Sequence, residues 1–113
     1  MKIIKWEIET YESSYGSKPV DEFISKQQTS AIAKIIHHVR LLKQYGNILG
    51  MPHAKNLGSG LFELRIRGKQ ELRIFYCFKQ KTIFLLHGIK KQTQKTPRKE
   101  LEIASNRKTE LLT

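Results

Sequence analysis

Leu61-Phe62-Glu63-Leu64-Arg65-Ile66-Arg67, then Glu71-Leu72-Arg73-Ile74-Phe75-Tyr76, then Ile83-Phe84-Leu85-Leu86-His87-Gly88-Ile89-Lys90-Lys91 decide the fold of this chain. In the first run Phe62, Leu64 and Ile66 fall on one side of a strand and Glu63, Arg65 and Arg67 on the other. Gly68-Lys69-Gln70 makes a turn, and in the second run Leu72, Ile74 and Tyr76 alternate with Arg73, Phe75 and Cys77. The third, Thr82–Ile89, is almost wholly apolar, as a central strand covered on both faces would be. Each run carries or ends in cations, and cations held on a sheet are fixed more rigidly than those on loops.

Upstream, Lys2–Tyr11 reads as a strand, because Ile4, Trp6 and Ile8 alternate with Lys5, Glu7 and Glu9. Pro19 opens a helix at the position where a missing N–H costs nothing, and Asp21 and Glu22 suit the dipole of its first turn. Ser30 is the expected cap of a longer helix reaching about Tyr45, with Ile32, Ile35, Ile36, Val39 and Leu42 as its apolar stripe. Gly46 is the expected C-cap, and residues 47–60 read as a loop. Thr96-Pro97 is expected to cap and open a terminal helix carrying Glu100, Leu101, Ile103 and Ala104, whose stripe is weak. The expectation is one α+β domain over residues 1–113. It has a mostly antiparallel sheet of about four strands, two N-terminal helices and a C-terminal helix, with helices on one face.

Composition narrows the function. The 113 residues contain 21 Lys and Arg against 10 Asp and Glu, a formal net charge of +11. The excess is uneven: residues 1–22 carry −2 and residues 23–113 carry +13. A body this cationic is expected to draw nucleic acid, an acidic protein partner or an anionic membrane face, the first two above all. No apolar run reaches the length of a membrane span, and no secretory signal is visible. Cys77 is the single cysteine, set in an apolar strand; it reads as a packing residue in a reducing compartment rather than as a nucleophile. None of the four histidines shows metal-ligand spacing, so neither metal nor cofactor is expected. Phosphate-binding glycine loops, the Gly-x-Ser-x-Gly elbow and Cys-x-x-Cys are all absent from the sequence.

Candidate chemistry gathers on the hairpin strands. Arg65, Arg73 and Lys91 would hold a phosphate diester and stabilise the extra charge of its transition state, provided the register places Arg73 beside Arg65. Glu63 is a candidate base or a partner for an arginine. His87, near Lys90 and Lys91, is either a general acid or base or a packed histidine. The bland alternative is a set of exposed cross-strand ion pairs.

The runs Gly60-Leu61-Phe62-Glu63-Leu64-Arg65, Leu72-Arg73-Ile74-Phe75-Tyr76, Leu85–Lys91 and Thr93-Gln94-Lys95-Thr96-Pro97 resemble the RelE/ParE toxin superfamily. Within it they are most similar to the phage-derived Gp49-like or HigB-type branch. The similarity is strongest over residues 57–107.

The resemblance implies a RelE-like fold and the toxin of a type II toxin–antitoxin pair. It implies a ribosome-dependent endoribonuclease (an mRNA interferase) that inhibits translation in the bacterial cytoplasm. Cleavage would be metal-independent, by 2′-hydroxyl attack on the adjacent phosphate. The implied partners are a helix-turn-helix antitoxin, the ribosome and mRNA, and the stored form is a heterotetramer of toxin and antitoxin.

Residue by residue, the family's phosphate-binding arginine matches Arg73 and its late basic residue matches Lys91. The two lysines that RelE uses on the first hairpin strand match Glu63 and Arg65, and its late tyrosine falls near Pro97, with no tyrosine after Tyr76. HigB relatives rely on histidines, which brings in His53 and His87. The candidate catalytic set is therefore Glu63, Arg65, Arg73, His87 and Lys91, with Glu63 the first choice of base and His87 the second. The candidate RNA-binding set is Arg67, Lys90, Lys95, Arg98 and Lys99. ParE-type members share the fold but act on DNA gyrase. That alternative, and a non-catalytic nucleic-acid-binding module, stay open at this level.

Overall fold

The computed structural model describes residues 5–92 and 94–113. The chain runs β1 (Glu7–Thr10), α1 (Pro19–Ser25), α2 (Thr29–Tyr45), a 3-10 turn at Gly46–Ile48, β2 (Ala54–Gly58), β3 (Leu61–Ile66), β4 (Glu71–Lys79), β5 (Thr82–Lys91) and α3 (Arg98–Leu112). The class is α+β as expected. The sheet has five strands in the order β1-β5-β4-β3-β2, with β1 parallel to β5 and the other pairs antiparallel.

The fifth strand is β2, inside the segment expected to be loop. Ala54-Lys55-Asn56-Leu57-Gly58 has no β-branched or aromatic residue, so its composition reads as loop. It survives as an edge strand paired to β3 alone, with Lys55 opposite Glu63. A lysine on an exposed edge discourages pairing with other chains. Of the expected first strand, Glu7–Thr10 is a strand, while Lys2–Ile4 lie outside the described residues, as does Thr93.

Helices cover both faces of the sheet rather than one. Leu64, Ile66, Leu72, Ile74, Tyr76, Ile83 and Leu85 form a core with Val20 of α1 and Ile35 and Leu42 of α2. Phe75, Cys77, Leu86 and Ile89 point the other way and pack with Ala104 of α3, with Leu101 and Leu111 beside it. The weak stripe of α3 is supplemented by polar contacts. Tyr11 Oη donates to Glu110 Oε2 (2.7 Å), Arg107 Nη1 donates to the Leu86 carbonyl (2.9 Å), and Lys79 Nζ donates to the Leu111 carbonyl (3.0 Å). The Arg107 guanidinium also sits 5.2 Å from the Tyr11 ring centre.

α2 begins at Thr29, and its cap position is Gln28, which makes no side-chain cap and lies two residues ahead of the expected Ser30. Its stripe is Ile35 and Leu42 with Ala31 and Val39 packed alongside, while Ile36 faces largely outward. Gly46 ends the helix at φ +53°, and the Trp6 indole occupies the space where a Cβ would be.

Candidate functional site

Register assembles the site. Arg65 of β3 pairs directly with Arg73 of β4, and Phe75 pairs with Glu63. On the other side of β4, Ile89 of β5 pairs with Arg73 and Lys91 with Glu71. A bulge makes this possible. Phe75 pairs with His87 but Tyr76 pairs with Leu85, so Leu86 is an extra residue in β5. Side chains alternate along a strand, and the inserted residue shifts that alternation by one. His87, Ile89 and Lys91 therefore share the face of Phe75, Arg73 and Glu71.

α3 packs on Phe75, Cys77 and Leu86. Towards the β3–β4 turn the same face opens into a cleft of about 580 Å³, lined by Arg65, Arg67, Lys69, Gln70, Glu71, Arg73, Lys90, Lys91, Gln92 and Gln94. Six of those residues are cations and one, Glu71, is a carboxylate.

Arg73 is the centre of the cleft. It is 2% exposed, the largest fully buried side chain, and Glu63 beside it is 4% exposed. Two arginines placed directly opposite each other repel. Glu63 relieves that repulsion: its Oε1 lies 2.5 Å from Arg73 Nε and 3.5 Å from Arg65 Nε. Neither N–H is aligned on the oxygen, so these contacts are Coulombic rather than directed hydrogen bonds. Arg73 Nη2 donates to Glu71 Oε2 at 3.0 Å. Arg73 Nη1 is buried and has no hydrogen-bond partner. A buried guanidinium N–H without an acceptor is costly, so this arginine is held in place at an energetic expense.

The candidate residues separate into groups. Arg65, Arg73 and Lys91 come together in the cleft, with Arg67 and Lys90 on its rim. Glu63 lies beneath the two arginines and does not line the cleft. His87 is on the right face but held away. Its Nε2 contacts Glu100 Oε2 at 2.5 Å and its Nδ1 lies 3.2 Å from Arg107 Nη1, while the ring stacks on Phe75. A guanidinium only donates, so Nδ1 accepts and the ring proton sits on Nε2, shared with Glu100. Both nitrogens are thus engaged in fastening α3, and neither is turned to the cleft. The His53 ring packs edge-on against His38 of α2, on the opposite face. Lys95, Arg98 and Lys99 follow β5 without lining the cleft, and Arg98 pairs with Glu102 at 3.2 Å. Burial pushes the Cys77 thiol up to about 11, so it is a packed thiol and not a nucleophile. The Tyr76 hydroxyl, also raised by burial, belongs to the α2-side core.

Sequence reading missed Glu71, Lys69, Gln70, Gln92 and Gln94 as cleft residues. For Glu71 a signal existed: it is one of only five acids in residues 23–113 and stands two positions from Arg73. Its alignment with Lys91 depends on the bulge, which leaves no mark in composition.

Among the described residues no helix is long and apolar enough to cross a membrane. Residues 22–109 match the model of the family described as Phage derived protein Gp49-like (DUF891). No curated protein matches the chain.

Proposed function

Because this chain belongs to the phage-derived Gp49-like family, within the RelE/HigB-like toxin superfamily, we propose that it is a type II toxin that cuts mRNA on the ribosome. The family is associated with the toxins of toxin–antitoxin pairs. One observation supports the ribonuclease reading most: the buried Arg73, facing Arg65 across the strands, lines a cleft with six cations and one carboxylate, and its Nη1 has no hydrogen-bond partner.

The chemistry assigned to these residues is as follows. The scissile phosphate sits against Arg73, with Arg65 and Lys91 flanking it. The Glu71 carboxylate accepts the proton of the ribose 2′-hydroxyl. The 2′-oxygen attacks phosphorus, and the bond from phosphorus to the 5′-oxygen breaks. That oxygen leaves with a proton from the Lys91 ammonium, giving a 2′,3′-cyclic phosphate and a free 5′-hydroxyl. The cations stabilise the second negative charge of the pentacoordinate phosphorus, the role that fixed donors fill in polar active sites. Glu63 acts as a positioning residue that holds two like charges side by side. Glu71 replaces Glu63 as the base because it lines the cleft and Glu63 does not. The engagement of both His87 nitrogens supports a structural role for it rather than proton transfer.

A cationic toxin of this kind is stored with its antitoxin, here a helix-turn-helix protein in a two-plus-two complex in the bacterial cytoplasm. An acidic segment of that partner would cover the cleft.

The test is a map of RNA 5′ ends after brief induction without antitoxin, compared with Glu71→Gln, Lys91→Ala and Arg73→Ala. New 5′-hydroxyl ends inside translated codons, lost in Glu71→Gln and Lys91→Ala, are expected. Growth arrest without such ends would refute the ribonuclease and point to gyrase or another protein target.

A further inference from the structure

A second cavity, of about 640 Å³, lies on the opposite side of the β3–β4 turn, between that turn and the start of α2. Its rim holds Lys26, Lys34, Arg67, Lys69 and Lys90 and no carboxylate. None of these five cations belongs to an ion pair among the described residues. Its floor is apolar, made by Ala31, Ile66 and Leu72. Lys34 reaches from α2 over the turn, where its ammonium comes within 2.7 Å of the position a Cβ on Gly68 would take. Glycine at 68 therefore leaves room for a cation to lie on the hairpin tip.

The cavity is not isolated. Arg67, Lys69, Gln70 and Lys90 line both it and the Arg73 cleft, so the two open onto one rim that passes round the turn. Unpaired cations that continue from one site to another, without an acid between them in the second, match a strand of repeating phosphates better than a single small anion. A basic rim over an apolar floor suits a nucleotide, with its phosphate at the rim and its base below. The volume falls in the range of pockets that hold ligands of that size, roughly 300–1,000 Å³.

We propose that this cavity is a flanking-nucleotide site: the RNA strand cut at Arg73 continues round the β3–β4 turn and seats a neighbouring nucleotide between Lys34 and Lys69. The proposal rests on the ribonuclease reading for the direction of the strand. Its binding partner, single-stranded RNA, is tested separately from cleavage.

The experiment uses 2′-O-methyl oligonucleotides, which lack the attacking hydroxyl and stay intact. A fluorescent trinucleotide and a heptanucleotide are titrated against wild type, Lys26→Gln/Lys34→Gln and Lys91→Gln. Lys26 and Lys34 are exposed and distant from the core, so the double variant keeps the fold. The heptanucleotide should bind wild type at least about tenfold tighter than the trinucleotide. The double variant should lose that gain, and its slope of log K against log salt should shrink by about 1.4, two charges at roughly 0.7 each on single strands. Trinucleotide binding should fall in Lys91→Gln and hold in the double variant. Equal losses for both lengths in the double variant, unchanged heptanucleotide binding there, or no binding of either RNA to wild type would overturn the site. If heptanucleotide binding needs Lys26 and Lys34 while the 5′-end map is blank, the flanking site stands and the cleavage reading falls.

Discussion

Replacing Glu63 by glutamine removes the negative charge that separates Arg65 from Arg73. The carboxylate is 4% exposed, and its Oε1 is 2.5 Å from Arg73 Nε and 3.5 Å from Arg65 Nε. Breaking a buried ion pair by removing one partner costs about 3–5 kcal/mol, because the remaining charge is left uncompensated. Arg73 keeps Glu71 at 3.0 Å, which places Glu63→Gln near the lower end, about 3 kcal/mol. For a domain of this size that lowers Tm by roughly 10 °C. It also removes a large part of a total stability of about 5–15 kcal/mol. Urea unfolding followed by Trp6 fluorescence and far-UV circular dichroism measures the loss. Arg73→Met alone should be similarly damaging, since it leaves Glu63 buried. The double variant Glu63→Leu/Arg73→Met should recover most of the loss, with a coupling above about 2 kcal/mol. A Glu63→Gln protein within about 0.5 kcal/mol of wild type, or an additive cycle, would refute the argument that Glu63 neutralises the arginine pair. The result bears on function as well. If Arg73→Ala unfolds, its lost toxicity says nothing about catalysis, and the half-exposed Glu71 and Lys91 become the decisive positions.

Three other outcomes are expected. Lys91→Ala should reduce cleavage about 10²–10³-fold, as loss of one transition-state donor does, with an unchanged urea midpoint; a shifted midpoint would mark Lys91 as structural. Burial raises the Cys77 thiol to about 11, so the folded state favours the protonated form; its contribution is complete below pH 9 and declines as pH rises towards 11. The stability difference between wild type and Cys77→Ala should therefore shrink across that window by an amount on the order of 2 kcal/mol, and a flat difference would contradict the burial argument. Gly46→Ala should cost more than about 1–3 kcal/mol, because φ is +53° and the new methyl meets the Trp6 ring; a melting temperature equal to wild type would show that the indole moves aside freely.

Strong local patterns are legible in the sequence itself. The alternation of Leu64, Ile66, Leu72 and Ile74 gave the hairpin, and Pro19 and Gly46 marked helix ends where the backbone puts them. β2 was hidden because an edge strand needs only one partner and tolerates Lys55, Asn56 and Gly58. The placement of α3 was hidden for a different reason. Its stripe is short, and its packing on Phe75, Cys77 and Leu86 is supplemented by Tyr11–Glu110, Arg107–Leu86 and Lys79–Leu111, pairs far apart in sequence. Among the candidate residues, alternation puts Arg65 on the cleft face and the hairpin register adds Arg73, whereas which of Glu63 and Glu71 lines the cleft depends on depth within the sheet. Alternation assigns a face, but not how far a side chain on that face is covered.

The extra residue at Leu86 absorbs a change of length in β5 without disturbing the cleft. Deleting it would straighten the strand with Leu85 still opposite Tyr76 and His87 still opposite Phe75, so Lys91 would stay on the Arg73 face and the loss would be the packing of Leu86. An insertion between His87 and Lys90 would instead turn every later side chain to the other face, and Lys90 would take the place of Lys91 opposite Glu71. Two adjacent lysines thus keep a cation on the cleft face in either frame, and a change of length beyond the bulge preserves its sign.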